Sequence, residues 1–255
     1  MDTNLMELNG KNIIVTGCSR GIGKETAIFL SKLGANIILI SRQQDKLKAV
    51  KEVLEGTNHL IFPLDLNNVD KIEGAVKDIT NRVGPLYGLV HCAGMQKTIP
   101  FRNTKMSDYL EVFNINFFAF VALVKSFSKK GNHEKNGGSI VAISSVAAVA
   151  SNPGLSAYAS SKSALISLVK TTAIELASKN IRVNCISPAW VRTEMYNEFS
   201  RFLSEQQTEA ILNKQPLGLG EHIDIAHAVA FLMAQTGRWI TGSNLFVDGG
   251  YMAYR

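Results

Sequence analysis

Cysteine is scarce in this sequence, and its few copies lie far apart. Among 255 residues there are three cysteines, Cys18, Cys92 and Cys185, an odd number without any CxxC spacing. A disulfide scaffold is therefore excluded, and a reducing compartment, the cytoplasm, is expected. The first residues show neither a basic segment nor an apolar run, so we expect no signal peptide.

Long apolar runs and clusters of one charge are absent too. The longest apolar run, residues 117–124, is far shorter than the ~20 residues that a membrane span needs. The formal net charge is +6, but the basic residues are scattered, whereas nucleic-acid-binding proteins gather them in a patch with aromatic side chains. We expect no membrane segment and no nucleic-acid partner. The modest positive charge suits ligands that carry phosphate.

Apolar residues make up 46% of the chain, which excludes disorder, and they recur in short runs that alternate with helical patterns. The spacing predicts strands at 12–16, 36–40, 59–64, 86–91, 139–143, 181–186 and 244–247. It predicts helices at 22–33, 43–54, 69–82, 107–130, 157–178, 194–213 and 223–233. The continuously apolar runs are typical of strands covered on both faces. This alternation predicts a single α/β domain over residues 1–255, a doubly wound, seven-stranded parallel sheet flanked by helices.

The turn after the first predicted strand is rich in glycine. Three glycines follow the strand in the spacing GxxxGxG. Glycine lets a backbone turn tightly beside a pyrophosphate, and the next helix directs its N–H groups at the phosphates. Ordinary strand-to-helix turns also favour glycine, but the place in a βαβ unit favours a Rossmann-type dinucleotide site. The predicted contacts in this loop are Gly17, Ser19, Arg20, Gly21, Ile22 and Gly23.

The end of the second predicted strand indicates which dinucleotide binds. A site for NAD(H) places a carboxylate there, whereas a site for NADP(H) uses arginine. Here the strand ends at Ser41 and Arg42, and the next carboxylate is Asp45. Arg20 and Arg42 could clamp a 2′-phosphate with charge-assisted hydrogen bonds, unless Arg42 is simply a solvated residue at a helix start. We expect NADP(H), with NAD(H) as the less favoured cofactor.

Three side chains predict acid–base chemistry at one edge of the sheet. Tyr158 and Lys162 are four residues apart and share one face of a predicted helix. Ser145 follows the fifth predicted strand, at the edge where ligands bind in open α/β sheets. The ammonium is expected to lower the pKa of the phenol, and a serine hydroxyl can stabilise a developing oxyanion. Taken singly, each could be an ordinary helix, surface or turn residue.

With these motifs and the endings ITG (240–242) and VDGG (247–250), the chain resembles the short-chain dehydrogenase/reductase family from Lys11 to Gly250. Two departures from the family pattern stand out. The family's Asn-Asn-Ala-Gly after the fourth strand is His-Cys-Ala-Gly here, with Cys92 in place of an asparagine that ties the sheet. The family's Pro-Gly is Pro188-Ala189, and alanine fits such a turn only where φ stays negative.

The resemblance implies a role for each catalytic candidate. Tyr158 matches the catalytic acid/base, Lys162 its partner that also binds the nicotinamide ribose, and Ser145 the serine that orients the substrate. Asn116, rather than Asn114, matches the asparagine that holds a proton-relay water.

The same resemblance implies further cofactor contacts. Asp65 with Leu66 matches the adenine contact, and the loop from Pro188 to Thr193, with Ile186, matches the one that closes over the nicotinamide amide. The expected contacts beyond the glycine loop are Ser41, Arg42, Asp65, Leu66, Cys92, Ala93, Gly94, Tyr158, Lys162, Pro188, Ala189, Val191 and Thr193. The five histidines show no ligand-like cluster, so no metal is expected.

The expected activity is reduction of a ketone to a secondary alcohol with NADP(H). Within the family the similarity is greatest to 3-oxoacyl-[acyl-carrier-protein] reductases, so a 3-oxoacyl thioester is one candidate. A carrier protein would dock near Lys179 and near Asn136 beside Lys135, which is a partial match. The alternatives are an alcohol dehydrogenase for a sugar, polyol or steroid hydroxyl and, more remotely, a non-catalytic dinucleotide-binding protein.

Two apolar segments remain. Residues 189–216 are expected to form a substrate lid, although the side chains concerned could equally form a core stripe. They are Trp190, Met195, Tyr196, Phe199, Phe202 and Leu203. The run 117–124 is apolar all round, and an outer helix should keep a polar face, so we expect it to lie in a subunit interface of a homotetramer or homodimer.

Overall fold

Seven parallel strands form the centre of the molecule, a computed structural model that describes residues 5–194, 196, 204, 206, 209 and 212–253. They form one sheet in the order β3-β2-β1-β4-β5-β6-β7. The strands are β1 (Asn12–Thr16), β2 (Asn36–Ser41), β3 (Leu60–Pro63), β4 (Gly88–His91), β5 (Gly138–Ile143), β6 (Ile181–Pro188) and β7 (Asn244–Val247). Every strand pair is parallel. The predicted fold class is therefore confirmed.

Helices cover both faces of the sheet. They are α1 (Gly21–Lys32), α2 (Gln44–Lys51), α3 (Ile72–Val83), α4 (Met106–Phe113), α5 (Ala119–Phe127), α6 (Ser156–Leu176) and α7 (His222–Met233). One buried cluster joins α1, α2 and α7 to one face, and a second joins α3, α5 and α6 to the other. Successive strand residues alternate between the clusters, since Ile13 and Val15 belong to the first and Ile14 to the second.

The long helix predicted at 107–130 is wrong in one respect, because it is interrupted. Helix α4 ends at Phe113, a π-helical turn spans Asn114–Phe118, and α5 follows. Such turns occur mostly as single bulges at functional sites, and hydrophobic spacing does not reveal them. The helix predicted at 194–213 lies largely outside the described residues.

The segment Met106–Phe127 is long and apolar enough to cross a membrane, by length and composition alone. Core helices of soluble proteins pass the same test. Within its most apolar window 44% is buried, and Phe120, Leu123 and Phe127 pack against sheet residues such as Leu89 and Ile140. These side chains are part of the core beneath α5.

The strand order reverses direction at the neighbours β1 and β4. Loops that leave two such strands go to opposite faces of the sheet and open a crevice at their carboxyl ends, where ligands bind in this type of fold. Thr16 and His91 are paired in register as the last residues of these strands. The glycine loop and the segment Ala93–Gly94 therefore start side by side.

Candidate active site

A cleft with a volume of about 660 Å³ runs along the carboxyl edge of the sheet. The predicted cofactor contacts other than Ile186 line it, and so does Ser145, whereas Ile186 and Asn116 do not. Those that line it are Gly17, Ser19, Arg20, Gly21, Ile22, Gly23, Ser41, Arg42, Asp65, Leu66, Cys92, Ala93, Gly94, Tyr158, Lys162, Pro188, Ala189, Val191 and Thr193. The structure thus brings the glycine loop and the acid–base residues into one cavity.

The glycine loop forms a cradle that larger residues could not. Gly17 has a φ of +65°, and a Cβ there would lie 2.6 Å from the Ala93 nitrogen. Helix α1 begins directly after it, with no capping hydrogen bond from the side chain of Arg20 and no acidic residue in its first turn. The N–H groups of that turn therefore lack a side-chain cap, as a phosphate-binding helix requires. The cradle fits the pyrophosphate of a dinucleotide.

The far end of the cleft is cationic. Arg20 and Arg42 line it, and so does Lys46, which lies on α2 four residues after Arg42. The one carboxylate considered for this position, Asp45, pairs instead with Lys48 at 3.4 Å. Sequence reasoning missed Lys46 as a residue of the cleft.

The catalytic candidates meet at the other end. Ser145 lies just beyond β5, and its Oγ accepts the N–H of Ala147 at 3.1 Å, so its own hydrogen is available. The Ser145 side chain is also hydrogen-bonded to Tyr158, on the first turn of α6. Lys162, one turn further, is 4% exposed and donates from Nζ to the Ile143 carbonyl at 2.7 Å. Strand β5 and helix α6 thereby place all three groups on one wall.

Lys162 does not lower the pKa of Tyr158 here as the sequence spacing led us to expect. Burial raises the pKa of the phenol, and the hydrogen bond with Ser145 only partly offsets that effect. The lysine Nζ stands 5.8 Å from the centre of the tyrosine ring, and its own burial lowers its pKa to about 8. The phenol is therefore neutral at physiological pH and is ready to donate a proton.

Asn116 lies behind the cleft wall, in the π-helical turn, and is completely buried. Its Oδ1 accepts the N–H of Met95 at 2.8 Å, and its Nδ2 donates to the Met95 carbonyl and to Ser161 Oγ. A Cβ on Gly94 would lie 3.2 Å from this Oδ1 and 3.4 Å from Lys162 Nζ, which places both groups around one glycine. Asn114 points elsewhere and donates to the Asn67 carbonyl.

The wall beyond Ser145 is mainly apolar. Met95, Leu155 and Tyr251 line it, and Trp190 and Tyr196 stand edge to face with ring centres 6.0 Å apart. At these two positions the predicted apolar lid borders the cleft. The other four side chains named for it, Met195, Phe199, Phe202 and Leu203, lie outside the described residues.

Gln215, which the sequence did not single out, fixes the base of this segment. Its side chain is 3% exposed and hydrogen-bonds the N–H and the carbonyl of Trp190 at 2.8 and 3.1 Å. It also donates to the Gly218 carbonyl. The buried Gln215 amide thus connects Trp190, at the start of segment 189–216, with Gly218, just after its end.

The two departures from the family pattern are accommodated. Among the described non-glycine residues only Asn180 has a positive φ, so Ala189 meets the condition on its turn. Cys92 is half-buried at the cleft wall, and burial raises the pKa of its thiol to about 12, so the thiol is protonated and a weak nucleophile.

Comparisons with known proteins agree with this geometry. The sequence profile of a family described as "Enoyl-(Acyl carrier protein) reductase" matches residues 17–252. The chain is 34% identical over 249 residues to the "3-oxoacyl-[acyl-carrier-protein] reductase FabG" of Rickettsia prowazekii. The aligned region covers 97% of this chain and 99% of the relative.

Two solved structures extend the comparison. A putative short-chain alcohol dehydrogenase from Sinorhizobium meliloti 1021 superimposes with a TM-score of 0.93 at 28% identity, over 98% of this chain and 99% of the other. A 7α-hydroxysteroid dehydrogenase in complex with NADH and 7-oxo glycochenodeoxycholic acid superimposes with a TM-score of 0.90 at 29% identity, over 98% and 97%.

Replacing Lys162 by Met tests the buried ammonium. Between about pH 8 and the ordinary lysine pKa of 10.5, the unfolded chain binds more protons at this residue than the native protein does. The free-energy penalty of burying the charged lysine is therefore at its maximum below pH 8, and it disappears as the pH rises toward 10.5. We expect the stability of Lys162→Met relative to wild type to fall between about pH 7 and about pH 9.5.

Urea unfolding of both proteins at each pH measures this difference. Changes elsewhere in the protein cancel in the comparison. A difference that stays constant or grows with pH would contradict the depressed lysine pKa.

Proposed function

The chain belongs to the short-chain dehydrogenase/reductase family, and from this premise we propose that it reduces a ketone to a secondary alcohol with NADPH. The observation that carries the proposal is the wall formed by Ser145, Tyr158 and Lys162 in the same cleft as the phosphate cradle. A protonated phenol beside a serine hydroxyl is suited to receiving the oxygen of a carbonyl that is being reduced.

The glycine loop and the first turn of α1 would hold the pyrophosphate, and Lys162 and Thr193 border the nicotinamide end. When bound, a reduced nicotinamide supplies the hydride that a ketone carbon accepts. Ser145, whose hydroxyl is hydrogen-bonded to Tyr158, would redirect its hydrogen to the carbonyl oxygen. Tyr158, neutral because burial raises its pKa, donates its proton to that oxygen as negative charge develops there. Asn116, beside Lys162, is placed to support the return of a proton to the phenol.

The apolar wall indicates the substrate class. Met95, Leu155, Trp190 and Tyr251 suit an acyl or other apolar ketone better than a small polar one. A 3-oxoacyl thioester is our first candidate, in line with the name of the Rickettsia relative. A steroid ketone is the second, because the hydroxysteroid dehydrogenase shares the fold and has such a ligand.

Docking of a carrier protein is a separate proposal. Of the cations expected to contact it, Lys179 already donates to the Ser128 carbonyl at 2.9 Å. Its two other N–H donors can still face an acidic partner, and because the group is exposed we expect carrier binding to be weak and sensitive to salt.

Replacement of Tyr158 by Phe removes the proton donor and leaves the ring in place. We expect turnover of a 3-oxoacyl thioester with NADPH to fall about 10²–10⁴-fold, with NADPH affinity nearly unchanged. The assay should run beside steroid, sugar and diketone carbonyls and an enoyl thioester. Fluorescence titration of NADPH gives the affinity.

The matched control is Tyr109→Phe, a tyrosine on α4 that does not line the cleft. It should keep wild-type turnover. Undiminished turnover in Tyr158→Phe would refute the catalytic assignment. Activity on the steroid but not on the thioester would retain the mechanism and replace the substrate class.

The preference for NADP(H) rests on the cations Arg20, Arg42 and Lys46 and on the engagement of Asp45 by Lys48. We expect Arg42→Ala to weaken NADPH binding about tenfold or more and NADH binding much less, since hydrogen bonds to charged groups contribute about 1.5–3 kcal/mol. Lys51→Ala, which removes a cation of the same helix outside the cleft and leaves Asp45 paired with Lys48, is the control. Equal affinity of the wild-type protein for NADPH and NADH would contradict this preference.

We also propose a homodimer or homotetramer that uses the outer face of α4 and the π-helical turn. Only part of the apolar run 117–124 is available to a partner subunit, because Ala119, Phe120, Leu123 and Val124 are buried in the core. The unpartnered face lies beside it, where Met106 is 72%, Leu110 59% and Phe118 41% exposed. Packing this face against a second copy of the chain would remove these three apolar side chains from water.

Light scattering after gel filtration tests the assembly. We expect a dimer or tetramer for the wild-type protein at micromolar concentration and a shift to smaller species for Leu110→Glu. The control is Val53→Glu, at an exposed apolar position beyond α2. A monomeric wild-type protein would contradict the proposal.

A further inference from the structure

His91 is a completely buried polar residue that the mechanism above does not use. It is the last residue of β4, and it stands where the family pattern has an asparagine. Its neighbour in register is Thr16, the last residue of β1 before the glycine loop. The ring therefore lies between the cofactor loop and the helices behind the catalytic wall.

The hydrogen bonds around the ring determine its tautomer. Thr16 Oγ1 accepts the N–H of Ala93 at 3.2 Å, so its own hydrogen is free to donate. The atom it faces is Nδ1 of His91, at 3.1 Å. With Thr16 as the donor, Nδ1 is the acceptor, and the hydrogen of a neutral ring lies on Nε2. Burial, together with the charge of Lys162, lowers the pKa of His91 to about 3, so the ring is neutral at physiological pH.

The Nε2–H group faces the π-helical turn. This atom is buried and has no partner within hydrogen-bond geometry, while the backbone groups of Ile115 and Asn116, in that turn, lie close enough to the ring to act on its pKa. A buried donor without a partner is costly, so small movements that bring it onto a carbonyl of the turn are favoured. The Phe120 ring, 5.3 Å away, packs against the imidazole from the same helical segment.

We propose that His91 is a positioning residue, whose ring links Thr16 to the backbone of the π-helical turn and so holds Asn116 beside Lys162. Asn116 Oδ1 and Lys162 Nζ both lie next to Gly94, so the position of the π-helical turn sets how close Asn116 stands to the lysine. A turn that shifts would carry Asn116 away from the lysine. The inference rests on the proposed reductase function and adds a residue to it.

Three variants separate the two ends of the ring. Asparagine can replace Nδ1 as the acceptor for Thr16 but does not reach the turn. Glutamine places a donor near the position of Nε2, and leucine supplies neither group. We expect kcat to fall about 10–100-fold in His91→Leu, as for other displaced catalytic groups, with KM for ketone and NADPH changed little. Recovery should be clear in His91→Gln and poor in His91→Asn.

The control is His59→Gln. His59 is also buried and uses both ring nitrogens, accepting the N–H of Ile37 and bonding the Glu55 carbonyl, but it does not line the cleft. Its replacement should lower the melting temperature and leave kcat unchanged. Should His91→Leu fail to fold, the comparison of glutamine with asparagine remains decisive.

A second readout does not depend on activity. Nitrogen-15 NMR of the wild-type protein should show His91 as the neutral Nε2–H tautomer, and the side-chain amide signals of Asn116 should shift in His91→Leu but not in His59→Gln. Wild-type kcat in His91→Leu, better recovery with asparagine than with glutamine, or an Nδ1–H tautomer would each overturn the proposal. If the wild-type protein reduces no ketone, the proposed function fails, and the NMR result still decides the role of His91.

Discussion

The burial of one ammonium group constrains this active site more than any other interaction. Lys162 lies within the fold at 4% exposure, and the hydrogen bond to the Ile143 carbonyl joins helix α6 to the end of strand β5. A buried charge of this kind costs free energy unless all of its hydrogen bonds are formed. Burial therefore favours the neutral amine and lowers the pKa of Lys162 to about 8.

The same burial sets the state of the phenol. Tyr158 is half-buried on the same wall as the lysine, and the desolvation of its anionic form outweighs the hydrogen bond from Ser145. A neutral phenol suits reduction, in which the protein must give a proton to an oxygen. The parallel sheet makes the arrangement possible, because it delivers the cradle of β1, the wall of β5 and the loop after β6 to one edge.

Much of this was predictable from sequence. Continuous apolar runs located all seven strands, because strands covered on both faces need no polar side chain. The glycine spacing and the i, i+4 pair of Tyr158 and Lys162 identified the two ends of the cleft.

The remaining features depend on contacts between distant segments. The π-helical turn at Asn114–Phe118 has the same hydrophobic spacing as a regular helix, so the pattern could not reveal it. The pKa of Tyr158 depends on how deeply α6 is packed, and spacing to a lysine says nothing about that depth. Gln215 bonds the backbone of Trp190 and His91 bonds the side chain of Thr16, both distant in the sequence, and no local pattern marks such bonds.

Burial raises the pKa of the Tyr158 phenol, so the phenol stays protonated in the protein without bound ligands. An ultraviolet titration of tyrosinate absorbance, taken as the difference between the wild-type protein and Tyr158→Phe, tests this directly. We expect the difference to appear only above the ordinary tyrosine pKa of 10.0. Tyrosinate absorbance from Tyr158 near neutral pH would contradict it, since it would show a phenolate base poised for alcohol oxidation.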